Sequence, residues 1–445
     1  MKTHKFVFVA ALVAALLIAA CGGDDSDDTA APEAPAAETD TTESDAAGDD
    51  AAGDDAAGDD AADGDTAGDD AADDAAPEPT GDPIKIGVSI PLSGAIALPQ
   101  IVAGYEAAID DVNAAGGIAI DGEQRPVELI VRDNRSDLNT MTDQIRGLAL
   151  EDEVSALLGA CCQYNVSAIP LIDSLQVPFV WGALPVELAP PTQGYSWGSF
   201  QTLVDAATQY FDIADTVETN KTVAFVANND GQGTATLAGW SALGESRGYT
   251  FAVTEAVPVG TTDFSAFIQS ALDVDADLLI AGMTPPDCFA LWKQLEALEY
   301  QPELAVGLQC AQTPGWNELA STGDGTLSVL HWTPDSGLPG AESFVERFGD
   351  DYPTVVDLAA VPIGYHQAEI LLTAIAAAGS TDREAINEAL AATDIASSLG
   401  PVAYDERQLS VTPTFYAQWG GGDARQVWPV TEGVEPVAVP VAGLQ

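Results

Sequence analysis

Five cysteines and three histidines bound the chemistry open to this chain of 445 residues. The histidines stand at His4, His331 and His366, so no H-E-x-x-H metal pair exists, and no G-x-S-x-G turn presents a nucleophilic serine. Gly231-Gln232-Gly233 has the outline of a dinucleotide loop, but Thr236 stands where the third glycine belongs, and no P-loop lysine follows. Cys161 and Cys162 are neighbouring soft ligands without a His or further Cys at ligand spacing. Serine, zinc and nucleotide chemistry therefore lack their tools. The sequence predicts a protein that is not an enzyme and that carries no metal and no cofactor.

What the chain offers instead is a set of short loops, each placed after a strand and before a helix. PLSG, GACCQYN, WGALP, NNDGQG and TPPD all have this position. A helix N-terminus presents unpaired N–H groups and a partial positive charge, so such loops collect anions such as a carboxylate.

The elements that position these loops follow from hydrophobic period. IKIGVSI is a β-branched run closed by Pro, GYEAAIDDVNAAGG has apolar residues at helical spacing and a Gly-Gly stop, and the alternation continues through PVELIVRDN, TVAFVANND, ADLLIAGM and PELAVGL. Strand, helix, strand with short connections implies parallel sheets with helices on both faces. There are too many units for one sheet. The expected fold is α/β, two doubly wound parallel-sheet lobes joined by three hinge crossovers near residues 201–205, 331–336 and 400–405. The first lobe takes residues 84–202 plus 334–402 and the second 203–333 plus 403–432, with a tail over 433–445. Two lobes whose loops face each other make a cleft.

The N-terminus has a different character. Lys2, His4 and Lys5 precede the apolar run Phe6 to Ala20, which reads as an export signal over residues 1–20. Ile18-Ala19-Ala20-Cys21 resembles the lipobox of bacterial lipoproteins, which implies a diacylglycerol on Cys21 and a membrane anchor. Residues 21–82 repeat AAGDD and hold about 23 acidic residues and no basic one between Gly22 and Pro83. Such a composition cannot bury enough apolar surface to order itself. It serves either as a tether or as a solubility trait of a saline habitat. The remainder, with roughly 47 acidic against about 12 basic residues, is itself acidic, so nucleic acid is excluded as a partner.

IKIGVSIPLSG, GYEAAIDDVNAAGGI, ELIVRDNRSD, the strand ending in GACCQ, and NNDGQGTATLAGW together resemble the type I periplasmic binding proteins of the leucine/isoleucine/valine and amide/urea class. GYHQAEILLTAIAAAG and LGPVAYDERQ resemble that family's closing helix and final strand. The resemblance implies the extracellular substrate-binding component of an ABC importer, a lipid-anchored monomer on the outer face of the cytoplasmic membrane. It would bind a small polar solute of amino acid or amide type in the interlobe cleft and meet permease and ATPase subunits. The alternative is a ligand-sensing module with a separate signalling partner.

The same resemblance implies the ligand-binding residues. Ser93 follows the first strand. Cys162, Gln163 and Tyr164 match positions where branched-chain amino-acid binders carry serines, and Trp181, Gly182 and Ala183 match a second contact. Asp230 replaces the family's aromatic before Gly-Gln-Gly, and either meets a cationic group or caps the following helix. Thr284, Gln309 and Tyr365 complete the set. Among the four cysteines beyond Cys21, three connectivities allow full pairing. Cys288 opens a helix and Cys310 ends the adjacent strand, so a Cys288–Cys310 bridge is expected, leaving Cys161 and Cys162 as a vicinal disulfide or as thiols.

Overall fold

The computed structural model describes residues 79–94 and 96–444; the signal segment, Cys21 and the acidic repeats up to residue 78 lie outside them. The chain begins with β1 (Ile84–Ile90), whose β-branched side chains are almost all buried, and α1 (Pro99–Ala114), which opens on a proline where an N–H is spare. Gly116 and Gly117, both at positive φ, end that helix as the Gly-Gly stop predicts. A small hairpin, β2 (Ile118–Ile120) and β3 (Glu123–Arg125), follows. Then come β4 (Val127–Asp133), α2 (Leu138–Leu150), β5 (Ala156–Leu158), α3 (Cys162–Leu175), β6 (Phe179–Trp181) and β7 (Ser196–Phe200).

The second run comprises α4 (Leu203–Ala214), β8 (Thr222–Asn228), α5 (Gly231–Ser246), β9 (Thr250–Val257), α6 (Ser265–Asp273), β10 (Leu278–Gly282), α7 (Pro285–Ala297), β11 (Leu304–Gly307) and β12 (Leu327–Leu330). The chain returns through α8 (Ala341–Phe348), α9 (Val355–Leu358), α10 (Ala360–Ala378) and α11 (Arg383–Ala391). It finishes with β13 (Asp394–Ser397), β14 (Gly400–Ala403), β15 (Leu409–Val411), β16 (Phe415–Gly420) and β17 (Asp423–Trp428).

These strands build a six-stranded sheet in the order β15-β7-β6-β5-β1-β4 and a seven-stranded sheet in the order β17-β16-β12-β11-β10-β8-β9. Every ladder of the first sheet is parallel. The second is parallel from β9 to β12 and takes β16 and β17 antiparallel at one edge. In both sheets the C-termini of the mutually parallel strands lie at a common end, which is where α/β sheets place their ligand loops.

Two sequence expectations need correction. Gly400–Ala403, expected as the final strand and third crossover, pairs antiparallel with β13 in a separate hairpin. The strand that closes the first sheet is β15, which runs parallel to β7 with Val411 opposite Phe200, so the chain changes sheet over 412–414 rather than 400–405. Both segments are short and similarly composed, and partner availability beside β7, not composition, decides which one joins the sheet. Backbone pairing begins before residue 82, the expected end of the acidic segment. The N–H groups of Thr80 and Gly81 donate to the Gln124 carbonyl on β3, and Arg125 donates to the Asp82 carbonyl.

The three sheet-changing segments touch. Thr412 N–H donates to the Phe200 carbonyl, the Thr414 hydroxyl donates to Gln201, and the Phe200 and His331 rings stand 4.0 Å apart. Behind the first sheet α1 and α10 cross with backbones in contact. A Cβ on Gly104 would lie 2.1 Å from the Val361 carbonyl oxygen, and one on Gly364 would lie 2.0 Å from that of Ile101. The segment Val355–Ala378 is long and apolar enough to cross a membrane, yet 78% of its most apolar window is buried in the fold, which makes it a core element.

Candidate ligand site

At the C-terminal end of the first sheet the loops form one continuous polar rim. The Ser93 hydroxyl donates to Asp133 Oδ2 at 2.6 Å, and the N–H groups of Leu92 and Arg135 donate to Oδ1. These donors, the Ser93 hydroxyl foremost, hold the Asp133 carboxyl down at about 2. Ser136 ties the rim further by donating to the carbonyls of Ser93 and Ile96.

The next loops belong to β5 and β6. Cys162 N–H donates to the Ala183 carbonyl at 3.1 Å. Buried Asn165 accepts from Ala160 N–H at 2.9 Å and donates to the Gly182 carbonyl at 2.7 Å, so one side chain fixes both loops. Beneath them the Tyr105 hydroxyl donates to the Gly159 carbonyl and approaches buried Gln367. In the first turn of α3, the N–H groups of Cys162, Tyr164 and Asn165 have protein acceptors. That of Gln163, an exposed residue, has none among the described residues. One helix N–H is thus left without a protein acceptor among the described residues.

The second sheet arranges its loops around a buried carboxylate. Asn228, at the end of β8, donates to Asp287 Oδ2 at 2.8 Å and accepts from Thr284 N–H at 2.7 Å. Asp287 also accepts from Gly260 N–H. Sheet order brings the ends of β8, β10 and β11 side by side, so Asp230, Thr284 and Gln309 share one rim. Asp230 is exposed and caps α5, accepting from Gly233 N–H at 2.7 Å. Thr284 precedes Pro285 and Pro286, which remove two N–H groups from the start of α7, so α7 is a poorer anion receiver than α3.

Three expected ligand residues are placed elsewhere. Tyr365 donates its hydroxyl to Asp111, which also pairs with Arg347. Asp111 lies twelve residues along α1, roughly 18 Å from the end that borders the loops. Trp181 is 1% exposed, donates to Ser196 and lies against Gly198, where a Cβ would meet its ring at 2.2 Å. It fills the sheet rather than offering a stacking face. Its outer edge borders a cavity of about 250 Å³ shared with Ile169, Pro190, Arg407 and Leu409. Tyr164 is 2% exposed, packed with Asn165 and Ala168 and with its hydroxyl towards Ser136. For Trp181 and Tyr164 an aromatic ring at a strand end or first helical turn lowers its free energy more by burial than by facing water, while Tyr365 is held by its carboxylate partner. Gly182 is buried with its carbonyl occupied, while Ala183, at φ 53, keeps its bend beside Cys162.

The positioning residues Asn165, Gln367, Asn228 and Asp287 were not singled out from sequence. Asn165 and Asp287 sit in first helical turns, where such residues read as ordinary caps; the one legible hint was the Asn-Asn pair before Asp230. Cys288 and Cys310 are paired, with Cα atoms 6.1 Å apart, while Cys161 is buried and Cys162 partly exposed as free thiols. Among the described residues no group of three His, Cys, Asp or Glu side chains converges to hold a metal.

Two α/β sheets, each with loops gathered at the C-terminal ends of its parallel strands, make up the fold, and known proteins share it. The family model described as periplasmic binding protein matches residues 83–423, and the chain belongs to that family. A Leu/Ile/Val-binding protein homolog of Brucella melitensis is 23% identical over 370 residues, covering 78% of this chain and 90% of that one. The crystal structure of a leucine-binding protein, LivK, from Thermotoga maritima superposes with a TM-score of 0.67 at 21% identity, covering 77% of this chain and 97% of that one. LivJ of Streptococcus pneumoniae, solved in complex with isoleucine, gives 0.67 at 18% identity over 77% and 99%. Membership places the protein among periplasmic binding proteins rather than enzymes.

Proposed function

We propose that this protein is the substrate-binding component of an ABC importer for a small solute of amino acid or amide type, taken up between the two loop rims. The observation that carries this reading is the complementary pair of groups on the two rims. The unpartnered Gln163 N–H at the start of α3 suits a carboxylate or amide oxygen, and the exposed Asp230 carboxylate suits an ammonium or amide nitrogen. Ser93, Cys162, Ala183, Thr284 and Gln309 line the two rims between them. Solute binding favours the closed arrangement only by the difference in its affinity for the two states. The closed form is what permease and ATPase subunits receive.

Export with a lipid on Cys21 would hold the protein, as a monomer, on the outer face of the cytoplasmic membrane, with Cys288–Cys310 as an oxidised staple. The test is a thermal-shift panel of neutral branched amino acids, short amides, urea, polyamines and aromatic acids. A true ligand at about a thousand times its dissociation constant adds roughly 4 kcal/mol. A hit among amino acids or amides supports the reading. A flat panel on folded protein sinks it.

A further inference from the structure

The two cysteine pairs of this molecule differ in a way that assigns them different chemistry. Cys288 and Cys310 are both fully buried and have Cα atoms 6.1 Å apart, inside the range of about 4.4–6.8 Å that disulfides favour. Cys161 and Cys162 are sequence neighbours, so a trans peptide holds their Cα atoms about 3.8 Å apart, below that range. A bond between them is strained and therefore easily reduced, the property of a labile couple rather than of a staple.

We propose that Cys161 and Cys162 form a reversible dithiol–disulfide couple in the loop that opens α3, closed by exchange with an external disulfide. Access is asymmetric in the way such exchange needs. Cys162 is partly exposed and Cys161 buried, so an incoming disulfide meets Cys162 first and no second external thiol reaches Cys161. The Cys161 thiol hydrogen-bonds towards Cys162, which favours the thiolate on Cys162 and holds the proton on Cys161. The Cys162 thiolate attacks one sulfur of the external disulfide RSSR and releases one thiolate, which takes up a proton. Cys161 then loses its proton, attacks Cys162 Sγ and releases the second RSH. Two protein thiols and RSSR thus become one protein disulfide and two RSH, with no other oxidant required.

The couple sits where it can be felt. Cys162 Sγ lies 3.9 Å from the Ala183 carbonyl, and Gln163 with its unpartnered N–H is the next residue. The redox chemistry stands independently of the solute assignment; its effect on binding rests on that assignment.

The experiment equilibrates the full chain in glutathione buffers from fully oxidised to fully reduced, alkylates free thiols and maps peptides by mass spectrometry. The expected result at the oxidised end is a 161–162 peptide two hydrogens lighter and unalkylated. It should return to two alkylated thiols at a glutathione ratio at least tenfold less reducing than any that opens Cys288–Cys310. In Cys161→Ser the reaction should stop at a glutathione mixed disulfide on Cys162. A wild-type chain that also stops at the mixed disulfide, or whose two thiols stay alkylatable throughout, overturns the proposal. So does a couple that opens only together with Cys288–Cys310.

Discussion

The two loop rims are braced by different chemistry. In the first lobe the buried brace is neutral: Asn165 joins the loops after β5 and β6 through two backbone groups, with Gln367 and Tyr105 beneath, while the carboxylate that ties the loops after β1 and β4, Asp133, is only partly buried. In the second lobe a buried carboxylate, Asp287, collects Asn228 and the Gly260 N–H from two other segments. Hydrogen bonds to charged groups are roughly twice as strong as neutral ones, and losing a partner strands a more costly group. The second rim should thus be the stiffer scaffold and the less tolerant of truncation, and the first the one able to adapt to a ligand.

The largest effect expected from this contrast is that of Asn228→Ala, which leaves Asp287 short of a donor and frees Thr284 N–H. About 3 kcal/mol of unfolding free energy should be lost, measured by urea denaturation. Asn165→Ala, which strands Ala160 N–H and the Gly182 carbonyl, should cost about 2 kcal/mol and weaken the bound solute more than its stability loss explains. Equal costs for the two variants would erase the distinction between the rims.

Histidine extends the comparison to pH. His366 bridges Ser199 and Ser397, and because the Ser397 hydroxyl is given to the Gly400 carbonyl, the network assigns the His366 proton to Nδ1. Burial pushes His366 and His331 down to about 3. In the unfolded chain both titrate near 6.5, so between these values the unfolded state binds protons that the fold refuses. Their stabilisation is complete above about pH 6.5 and is lost as pH falls towards 3, at up to about 1.4 kcal/mol per pH unit for each histidine. His366→Gln should flatten the acid limb of the stability curve by about one proton; an unchanged slope would show that the site titrates elsewhere.

The smallest effect separates the two roles of Asp230. Asp230→Ala removes the cap and should cost about 1 kcal/mol, whereas Asp230→Asn keeps the cap and should leave stability nearly unchanged. If Asp230 also reads a cationic group, the Asn variant alone should lose tenfold or more in affinity for that solute. Retained affinity would reduce Asp230 to a helix cap.

Much of this was legible in the chain. From Ile84 to Gly307 the alternation of β-branched runs and helical periods located the parallel units, because inner strands such as β1 and β11 are buried on both faces, although the edge strands β4 and β9 are not. The last strands were not, since β13 to β17 are short and mostly antiparallel, and their pairing depends on which edge remains open. The loops of the site were legible by position, yet the direction of single side chains was not. Tyr164, Trp181 and Tyr365 have the residue types of a binding site but find burial or a carboxylate partner instead. Asn165 and Asp287 look like surface caps and are neither exposed nor caps.

The contact of Gly104 with Gly364 has a mechanical consequence. Helices separated by a layer of side chains can slide, as repacked rotamers absorb small displacements. Where α1 and α10 meet backbone to backbone there is no such layer, and a slip of one against the other drives carbonyl into Cα. The first lobe is therefore barred from shear and can only turn as a block, which concentrates rotation in the few dihedrals beside Phe200, His331 and Thr412.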